Sequence, residues 1–188
     1  MKNNTKNMVG VALFTAIVVV LQLLGGGIKA GMFSISLVLV PIVVGSAVYG
    51  WRAGAWLGFA FGVAVLLSGD AAAFLAVDVF GTILVVLLKG TLCGLLAGLL
   101  YKLLSKANQV IAVFGAAILC PFVNTGVFLI GCRIFFYETV AEWGVAQGFE
   151  NAAAYMFFGL AGVNFLIELV VNIILAPMIV RLIKMSMK

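Results

Sequence analysis

Three polar side chains near the end of the sequence recur at a spacing that could build a binding site. Asn164, Glu168 and Asn172 are four residues apart in an otherwise apolar stretch, so a helix would carry them along one face. Amide and carboxylate groups both accept hydrogen bonds, and amides also donate them. In apolar surroundings such groups need partners, which predicts either a bound polar molecule or polar side chains on a neighbouring helix.

Two further residues are predicted to lie at the depth of this stripe. Lys89 precedes Lys102 by thirteen residues, and Glu168 precedes Arg181 by thirteen. At about 1.5 Å per helical residue, both therefore lie about 20 Å above a ring of basic residues. Asn124 reaches a comparable height on another helix. The candidate substrate-binding residues are Lys89, Asn124, Asn164, Glu168 and Asn172.

Two interpretations of these residues are open at the level of sequence. They could contact a ligand in a cavity, or they could hydrogen-bond to one another and hold helices together. Lys89 has a long side chain that could pair with Glu168 instead of a ligand. Both interpretations place the five residues inside the molecule and bring them together from three helices.

The sequence lacks the residues that most catalytic and metal sites need. It contains no His, which removes Ser-His and Cys-His pairs and His-containing metal motifs. Asp70 and Asp78 have no partnering His and no cluster of metal-type ligands. Cys93, Cys120 and Cys132 have no paired spacing, so we interpret them as small apolar residues. We expect no catalytic residue, no metal and no cofactor.

Composition places these residues in a membrane. Of the 188 residues, 65% are hydrophobic and 9% are charged, against about 45–50% and about 25% in soluble domains. Lipid offers the backbone no hydrogen-bond partners, so only helices or a closed barrel can cross it. The apolar runs are longer than the roughly 9–11 residues of a barrel strand. The sequence therefore predicts an all-α integral membrane protein.

Six apolar stretches approach the roughly 20 residues that cross a hydrocarbon core about 30 Å thick. The second and third are short and are separated only by Gly50-Trp51-Arg52, so one long re-entrant hairpin is the alternative there. No internal repeat is visible, and residues 1–188 are predicted to form a single domain, a bundle of six transmembrane helices. The predicted spans are Met8–Leu24, Ser34–Tyr49, Ala53–Ser68, Val79–Leu103, Val110–Phe136 and Met156–Ile183.

The charges predict the orientation of this bundle. Cytoplasmic segments next to a membrane carry an excess of Lys and Arg. In the six-span map, basic residues dominate the termini and the links on their side, while five of the six acidic residues fall in the links on the other side. We therefore expect both termini in the cytoplasm. The net charge of +5 is spread between apolar runs, which argues against nucleic acid as a partner.

The predicted outer connections are longer than the inner ones. They cover residues 25–33, 69–78 and 137–155, and loops on an exposed face often carry recognition. Trp143 and Phe149 in the last connection could cover a ligand or rest at the lipid interface. This asymmetry favours a site that opens to the exterior.

Glycine and alanine recur every four residues in three of the predicted spans. Rows of small residues let helix backbones approach closely, so we interpret them as packing faces. Ala12 and Ala16 make the same pattern in the first span, where the partner could be a helix of this chain or of another subunit. The two glycine rows are Gly54, Gly58 and Gly62, and Gly90, Gly94 and Gly98.

These features together resemble the substrate-binding S component of bacterial energy-coupling-factor (ECF) vitamin transporters. The resemblance covers nearly the whole chain and rests on the order of its motifs. The motifs are the Lys-flanked first helix with Ala12-Leu13-Phe14-Thr15-Ala16, Lys89-Gly90 at the start of a Gly-rich stretch up to Tyr101-Lys102, Pro121-Phe122-Val123-Asn124-Thr125, and residues 164–172 of the last helix.

The resemblance implies a six-helix protein of the bacterial cell membrane that captures a vitamin-like molecule from outside with high affinity. Such proteins work with a transmembrane coupling subunit and two cytoplasmic ATPases, and they are thought to topple in the membrane to release the molecule inward. In the family an Ala-x-x-x-Ala face of the first helix contacts the coupling subunit, and Ala12 and Ala16 match it. The outer loops and the last three helices hold the ligand, and the five candidate residues lie there.

The resemblance leaves the substrate open. Riboflavin-, pantothenate-, folate-, pyridoxine- and queuine-type members share this architecture, and no motif selects among them. Asp78 and Arg133 hint at a ligand that bears both donors and an acid. The chain has no Gly-x-x-x-x-Gly-Lys-Ser/Thr phosphate loop, as expected if other subunits supply the energy. The alternative function is a structural membrane subunit without a ligand.

Overall fold

The computed structural model describes residues 2–25, 29–30, 33–34 and 37–186, and nearly all of them are helical. In chain order the helical elements are α1 (Lys2–Gly25), α2 (Leu39–Tyr49), α3 (Trp51–Ser68), α4 (Ala72–Leu75), α5 (Val79–Leu104), α6 (Gln109–Phe135), α7 (Tyr137–Ala146), α8 (Ala152–Ala154), a π-helical segment (Tyr155–Gly162) and α9 (Val163–Ser186).

By length and apolar composition, five helical segments in the described part of the chain could cross a membrane. They are α1, α3, α5, α6 and the continuous helix Ala152–Ile183, and they agree with five of the six predicted spans. The prediction for the remaining span, Ser34–Tyr49, is wrong in its first part. There β1 (Lys29–Ala30) pairs antiparallel with β2 (Phe33–Ser34), and the helix begins only at Leu39.

The short helix α2 lies in the core of the bundle. Its eleven residues extend about 16 Å, roughly half of the hydrocarbon thickness. Pro41 lies in its first turn, and a helix that began earlier would hold Pro41 in its interior, where the ring clashes with the preceding turn. Ile42 and Val43 are fully buried because α2 packs against α1, α3, α5, α6 and α9. An apolar pattern alone does not separate such a helix from a membrane span.

A sharp turn at Gly50 separates α2 from α3, at the boundary predicted from the sequence. Gly50 has a φ of 92°, a backbone conformation that favours glycine, and its N–H donates to the Ser46 carbonyl oxygen at 3.0 Å. The turn lets two apolar helices follow each other with no connecting loop.

The two glycine rows pack on each other and join α3 to α5 by direct backbone contact. A Cβ added at Gly58 would meet the Gly90 carbonyl oxygen, and a Cβ added at Gly54 would meet the Gly94 carbonyl oxygen. The predicted packing faces are therefore confirmed. Because the paired positions run in opposite directions along the chain, α3 and α5 are antiparallel.

The short helices α4 and α7 lie together at one end of the bundle, where the ring of Phe74 packs against that of Trp143. The predicted outer connections 69–78 and 137–155 are thus partly helical. Gln22, near the end of α1, reaches Asp70 beside α4. We call this the α4–α7 end. Since α1 runs towards it and α9 runs away from it, the beginning of α1 and the end of α9 both lie at the opposite end, the terminal end.

Candidate ligand-binding cavity

A cavity of about 90 Å³ lies among the helices near the α4–α7 end. Four of the five predicted site residues line it: Lys89 from α5, Asn124 from α6, and Asn164 and Glu168 from α9. The structure thus brings together side chains that are far apart in the sequence, at the common depth that their spacing predicts.

Asn172, the fifth predicted residue, lies one turn beyond Glu168 and outside the lining of the cavity. It is buried, and its Nδ2 donates to the backbone carbonyl oxygen of Glu168 at 2.8 Å. A step of four residues exceeds one helical turn and rotates a side chain by about 40° around the axis. Two such steps separate Asn172 from Asn164, which is enough to turn it away from the cavity.

Lys89 reaches the cavity between two aromatic rings. Its Nζ lies 5.8 Å from the ring centroid of Phe61 and 5.3 Å from that of Phe128, distances at which the face of a ring attracts a cation. Phe61 belongs to α3 and is close because Gly58 touches the backbone of Gly90, the residue that follows Lys89. The glycine contact therefore positions the one cation of the predicted site.

Two carboxylates share the electrostatic environment of Lys89. Glu168 and Asp70 both line the cavity, and both attract the Lys89 ammonium group. Only 6% of the Glu168 surface is exposed. Asp70 also accepts hydrogen bonds from Gln22 Nε2 at 2.6 Å and from Ser68 Oγ at 3.1 Å. Such partners are needed because an isolated charge is costly to bury.

Two amides bring hydrogen-bond acceptors that the protein does not satisfy. The side-chain oxygens of Asn124 and Asn164 are buried and have no hydrogen-bond partner among the described residues. Leaving such an atom unsatisfied costs about 1–3 kcal/mol. A bound molecule that donates a hydrogen bond to each oxygen would satisfy both acceptors.

Aromatic rings line the cavity at the α4–α7 end. Phe74 lines the cavity from α4, and its ring packs edge-on against those of Phe136 and Trp143, with centroid separations of 5.0 and 5.4 Å. A helix of four residues is too short to be stable alone, so this packing holds α4 in place. Trp143 therefore lies behind a ring of the cavity wall, whereas Phe149 packs against Tyr155 at 5.2 Å.

The sequence analysis did not identify Gln22, Asp70 and Phe74 as residues of the cavity wall. Gln22 is the only amide in the predicted first span, and this is the signal that could have identified it. Asp70 and Phe74 lie in a predicted outer connection, where no periodic pattern applies. Asp70 is held by its hydrogen bond from Gln22 of α1, and Phe74 by its contact with the Phe128 ring of α6, and no local pattern encodes such contacts.

Asp78 and Arg133, which the sequence suggested as possible ligand contacts, lie outside the cavity lining. Asp78 caps the beginning of α5, where its Oδ1 accepts from the Phe80 N–H at 3.0 Å. The Arg133 guanidinium lies 4.1 Å from the centroid of the Tyr137 ring and is exposed. Neither residue belongs to the cavity lining, so their charges do not define the ligand.

The three thiols lie in the interior of the bundle. Cys93, Cys120 and Cys132 are buried and are not joined in disulfides. The Cys93 Sγ donates to the Gly90 carbonyl oxygen at 3.0 Å. Among the described residues, no group of three or more His, Cys, Asp or Glu side chains could hold a metal ion.

Ala12 and Ala16 lie on the exposed side of α1. Leu13 between them is also exposed, whereas Val18 on the other side of the helix is buried against the bundle. The packing partners of α1 in the bundle are α2 and α3. The Ala12–Ala16 face therefore faces lipid or another subunit, not a helix in the described part of this chain.

Comparison with known protein families gives one match. A family model described as the substrate-specific component of ECF transporters matches residues 6–180. The match runs from the first turns of α1 to the last turns of α9, so it includes the cavity and the Ala12–Ala16 face. No curated protein and no solved structure matches the chain.

Proposed function

The chain belongs to the family of substrate-specific components of ECF transporters, and on this basis we propose that it captures a vitamin or related micronutrient outside the cell with high affinity and passes it inward. It is a multi-pass protein of the cell membrane and a substrate-binding component rather than a catalyst. The observation that carries the proposal is the cavity, where Lys89, Asn124, Asn164 and Glu168 present charged and polar groups inside an apolar bundle.

The proposed orientation places the α4–α7 end outside the cell and both termini in the cytoplasm, with α2 as the sixth helix of the bundle. Exposed basic side chains at the terminal end support this, because Lys and Arg collect on the cytoplasmic side. The acidic residues of α7 and of the connections beside it lie at the other end. The exposed basic residues at the terminal end are Lys6, Arg52, Lys102, Lys106 and Arg181, whereas Arg133 is exposed at the other end.

The proposed partners are a transmembrane coupling subunit and two cytoplasmic ATPases. The chain has no phosphate-binding loop, so ATP hydrolysis would occur in those other subunits. The Ala12–Ala16 face is the proposed contact with the coupling subunit, because exposed small residues let a second helix approach the backbone of α1 closely.

In the proposed binding mode, the ligand donates to the side-chain oxygens of Asn124 and Asn164 and lies beside Lys89 and Glu168. The groups are fixed by helix packing before the ligand arrives, which lowers the entropy lost on binding. Phe74 covers the ligand from α4 and excludes water, which strengthens each polar contact.

The test is to purify the protein in detergent and to identify any molecule that co-purifies by mass spectrometry. That molecule is then titrated back while Trp emission is recorded. Trp143 is the informative reporter because its ring packs on Phe74, a residue of the cavity wall. Replacing Trp51 and Trp56 by Phe removes the two tryptophans of α3 and isolates the signal of Trp143.

Two outcomes separate the proposed function from its alternative. A reproducible small molecule that rebinds in a saturable manner supports a substrate-binding component. A preparation that yields none, and whose Trp143 emission responds to no vitamin at micromolar to millimolar concentration, would identify a structural subunit without a ligand.

A further inference from the structure

Building on the proposed function, we infer that the cavity selects a ring-shaped substrate that carries amino groups and a positive charge, and that it rejects carboxylates and phosphates. Three properties of the cavity wall lead to this substrate class: its charge, its unsatisfied hydrogen-bond acceptors and its aromatic surface.

The charge of the wall favours a cation. The charged residues in the described lining are Asp70, Lys89 and Glu168. Whatever pairs these three groups form, two carboxylates and one ammonium leave one negative charge in excess when all are ionised. Apolar helices surround them, and an excess charge in such a place is costly unless an opposite charge compensates it. A cationic substrate supplies this compensation, whereas an anion would raise the excess to two.

Lys89 does not turn the cavity into an anion site. Both Glu168 and Asp70 already attract its ammonium group, and the rings of Phe61 and Phe128 lie within 6 Å of it. An anionic substrate would have to compete with two carboxylates for this one cation. It would also approach those carboxylates, which repel it.

Hydrogen bonding favours a substrate with several N–H groups. The unsatisfied side-chain oxygens of Asn124 and Asn164 accept hydrogen bonds, and ionised Asp70 and Glu168 only accept them. The hydroxyl of Thr82, a potential donor of the wall, already donates to a backbone carbonyl oxygen at 2.6 Å. An amino-substituted substrate complements these acceptors.

The remaining wall favours a flat ring. Five phenylalanines line the cavity, four of them from α3, α4, α6 and α9 and one from the bend between α6 and α7, and their faces and edges suit an aromatic ligand. The same faces attract a positive charge on that ligand. These residues are Phe61, Phe74, Phe128, Phe136 and Phe165.

The experiment measures binding for compounds that share a ring and differ in the charged or neutral group at one position. Pyridoxamine, pyridoxine and 4-pyridoxic acid share one ring and carry an aminomethyl, a hydroxymethyl or a carboxylate group at the same position. They serve as charge probes within a panel of vitamins, nucleobases and their precursors that is sorted into cations, neutral molecules and anions. Affinity is measured by calorimetry, and thermal stability is recorded for each compound.

Cations are expected to bind at least about tenfold more tightly than their neutral counterparts, which corresponds to about 1.4 kcal/mol. Anions are expected to bind more weakly still. An anion that binds as tightly as the cations, or an anionic molecule that co-purifies, would overturn the substrate class and leave the proposed function intact. If no compound binds and none co-purifies, the proposed function itself fails.

Two charge-removing variants test the source of the preference. Asp70→Asn and Glu168→Gln each remove one negative charge and keep the shape of the side chain. Each should weaken cation binding by about tenfold or more and neutral binding by less than about threefold. Glu142→Gln, an exposed carboxylate of α7 at the same end, is the matched control and should change neither. A cation preference that persists in whichever of the two variants folds would overturn the inference.

Discussion

Asn164 and Asn172 show how two identical side chains on one helix come to differ in role. Both side-chain oxygens lack a hydrogen-bond partner among the described residues, but Asn164 lines the cavity, whereas Asn172 is buried away from it and donates to the backbone of Glu168. A ligand in the cavity can therefore reach Asn164 directly. Asn172 affects a ligand only through the position of the helix that carries Glu168.

This difference gives the first prediction. Asn164→Ala removes the amide and Glu168→Gln removes the charge, so each should weaken ligand binding by about one to two orders of magnitude, at about 1.4 kcal/mol per tenfold. Asn172→Ala is the control and should change affinity by less than about threefold, although it costs stability by loss of one buried hydrogen bond, about 1 kcal/mol.

The measurement is ligand affinity by calorimetry, together with thermal stability of each variant without ligand. If Asn164→Ala and Glu168→Gln lower stability but bind the ligand as tightly as the parent, the polar residues hold helices together and do not contact the ligand. The interhelical interpretation of the sequence would then be the correct one.

At the scale of residues, the part of the cavity that periodicity encodes was predictable. Asn164 and Glu168 share a helix face, and a common depth relates them to Lys89, because helical rise is uniform. Gln22 and Asp70 were not predictable, because their contact joins residues 48 positions apart through the packing of α1 beside α3. Such contacts depend on helix order in space, which spacing along the chain does not give.

At the scale of elements, the contact between α3 and α5 gives the second prediction. In Gly58→Ala the new Cβ would meet the Gly90 carbonyl oxygen, so the two backbones must separate. Overpacking of this kind costs about 1–3 kcal/mol. We expect a lower thermal midpoint and weaker ligand binding, because Lys89 adjoins Gly90.

Gly126→Ala is the matched control for this substitution. Gly126 also lies inside a spanning helix, α6, but apart from the neighbouring backbone of that helix no atom lies within 4 Å of the place where its Cβ would be. Its replacement should leave stability unchanged or slightly higher, since Ala favours helix over Gly. Equal thermal midpoints for the two variants would show that the glycine contact is looser than the structure indicates.

The exposed face of α1 gives the third prediction. Ala16→Leu adds a bulky side chain where close approach of a coupling subunit is proposed, so it should block uptake into cells while ligand affinity stays unchanged. Ala153→Leu, at another exposed alanine of a spanning segment, is the control and should leave both intact. If Ala16→Leu loses ligand affinity while the complex still assembles, the face has a role inside the protein.

The sequence predicts the long helices more accurately than the short ones. The helices that cross the bundle correspond to long apolar runs in the sequence, and their positions were predicted correctly. The short helix α2 was extended too far, because its flanking residues are equally apolar and only Pro41 marks its beginning. The helices α4 and α7 were missed, since α4 is stabilised by the contacts of Phe74 with other elements rather than by local propensity.

At the scale of the whole molecule, the separation of charge gives the fourth prediction. In a background without the three native Cys, Glu150→Cys at the α4–α7 end should react with an impermeant thiol reagent on intact cells. Lys106→Cys at the terminal end should react only after permeabilisation. Both positions are exposed, so access to the reagent depends on the side of the membrane. The reverse labelling pattern would invert the proposed orientation.

The packing of the Phe74 ring also affects the association and dissociation rates of a ligand. This ring packs on rings from both α6 and α7, so a ligand that enters past Phe74 must open those contacts together. The opening of α4, more than the contacts within the cavity, would then set both the association and the dissociation rates. Phe74→Ala should raise both rates in stopped-flow measurements while their ratio changes less. A parent protein with this property would keep its ligand through dilution long enough to meet a partner subunit in the membrane.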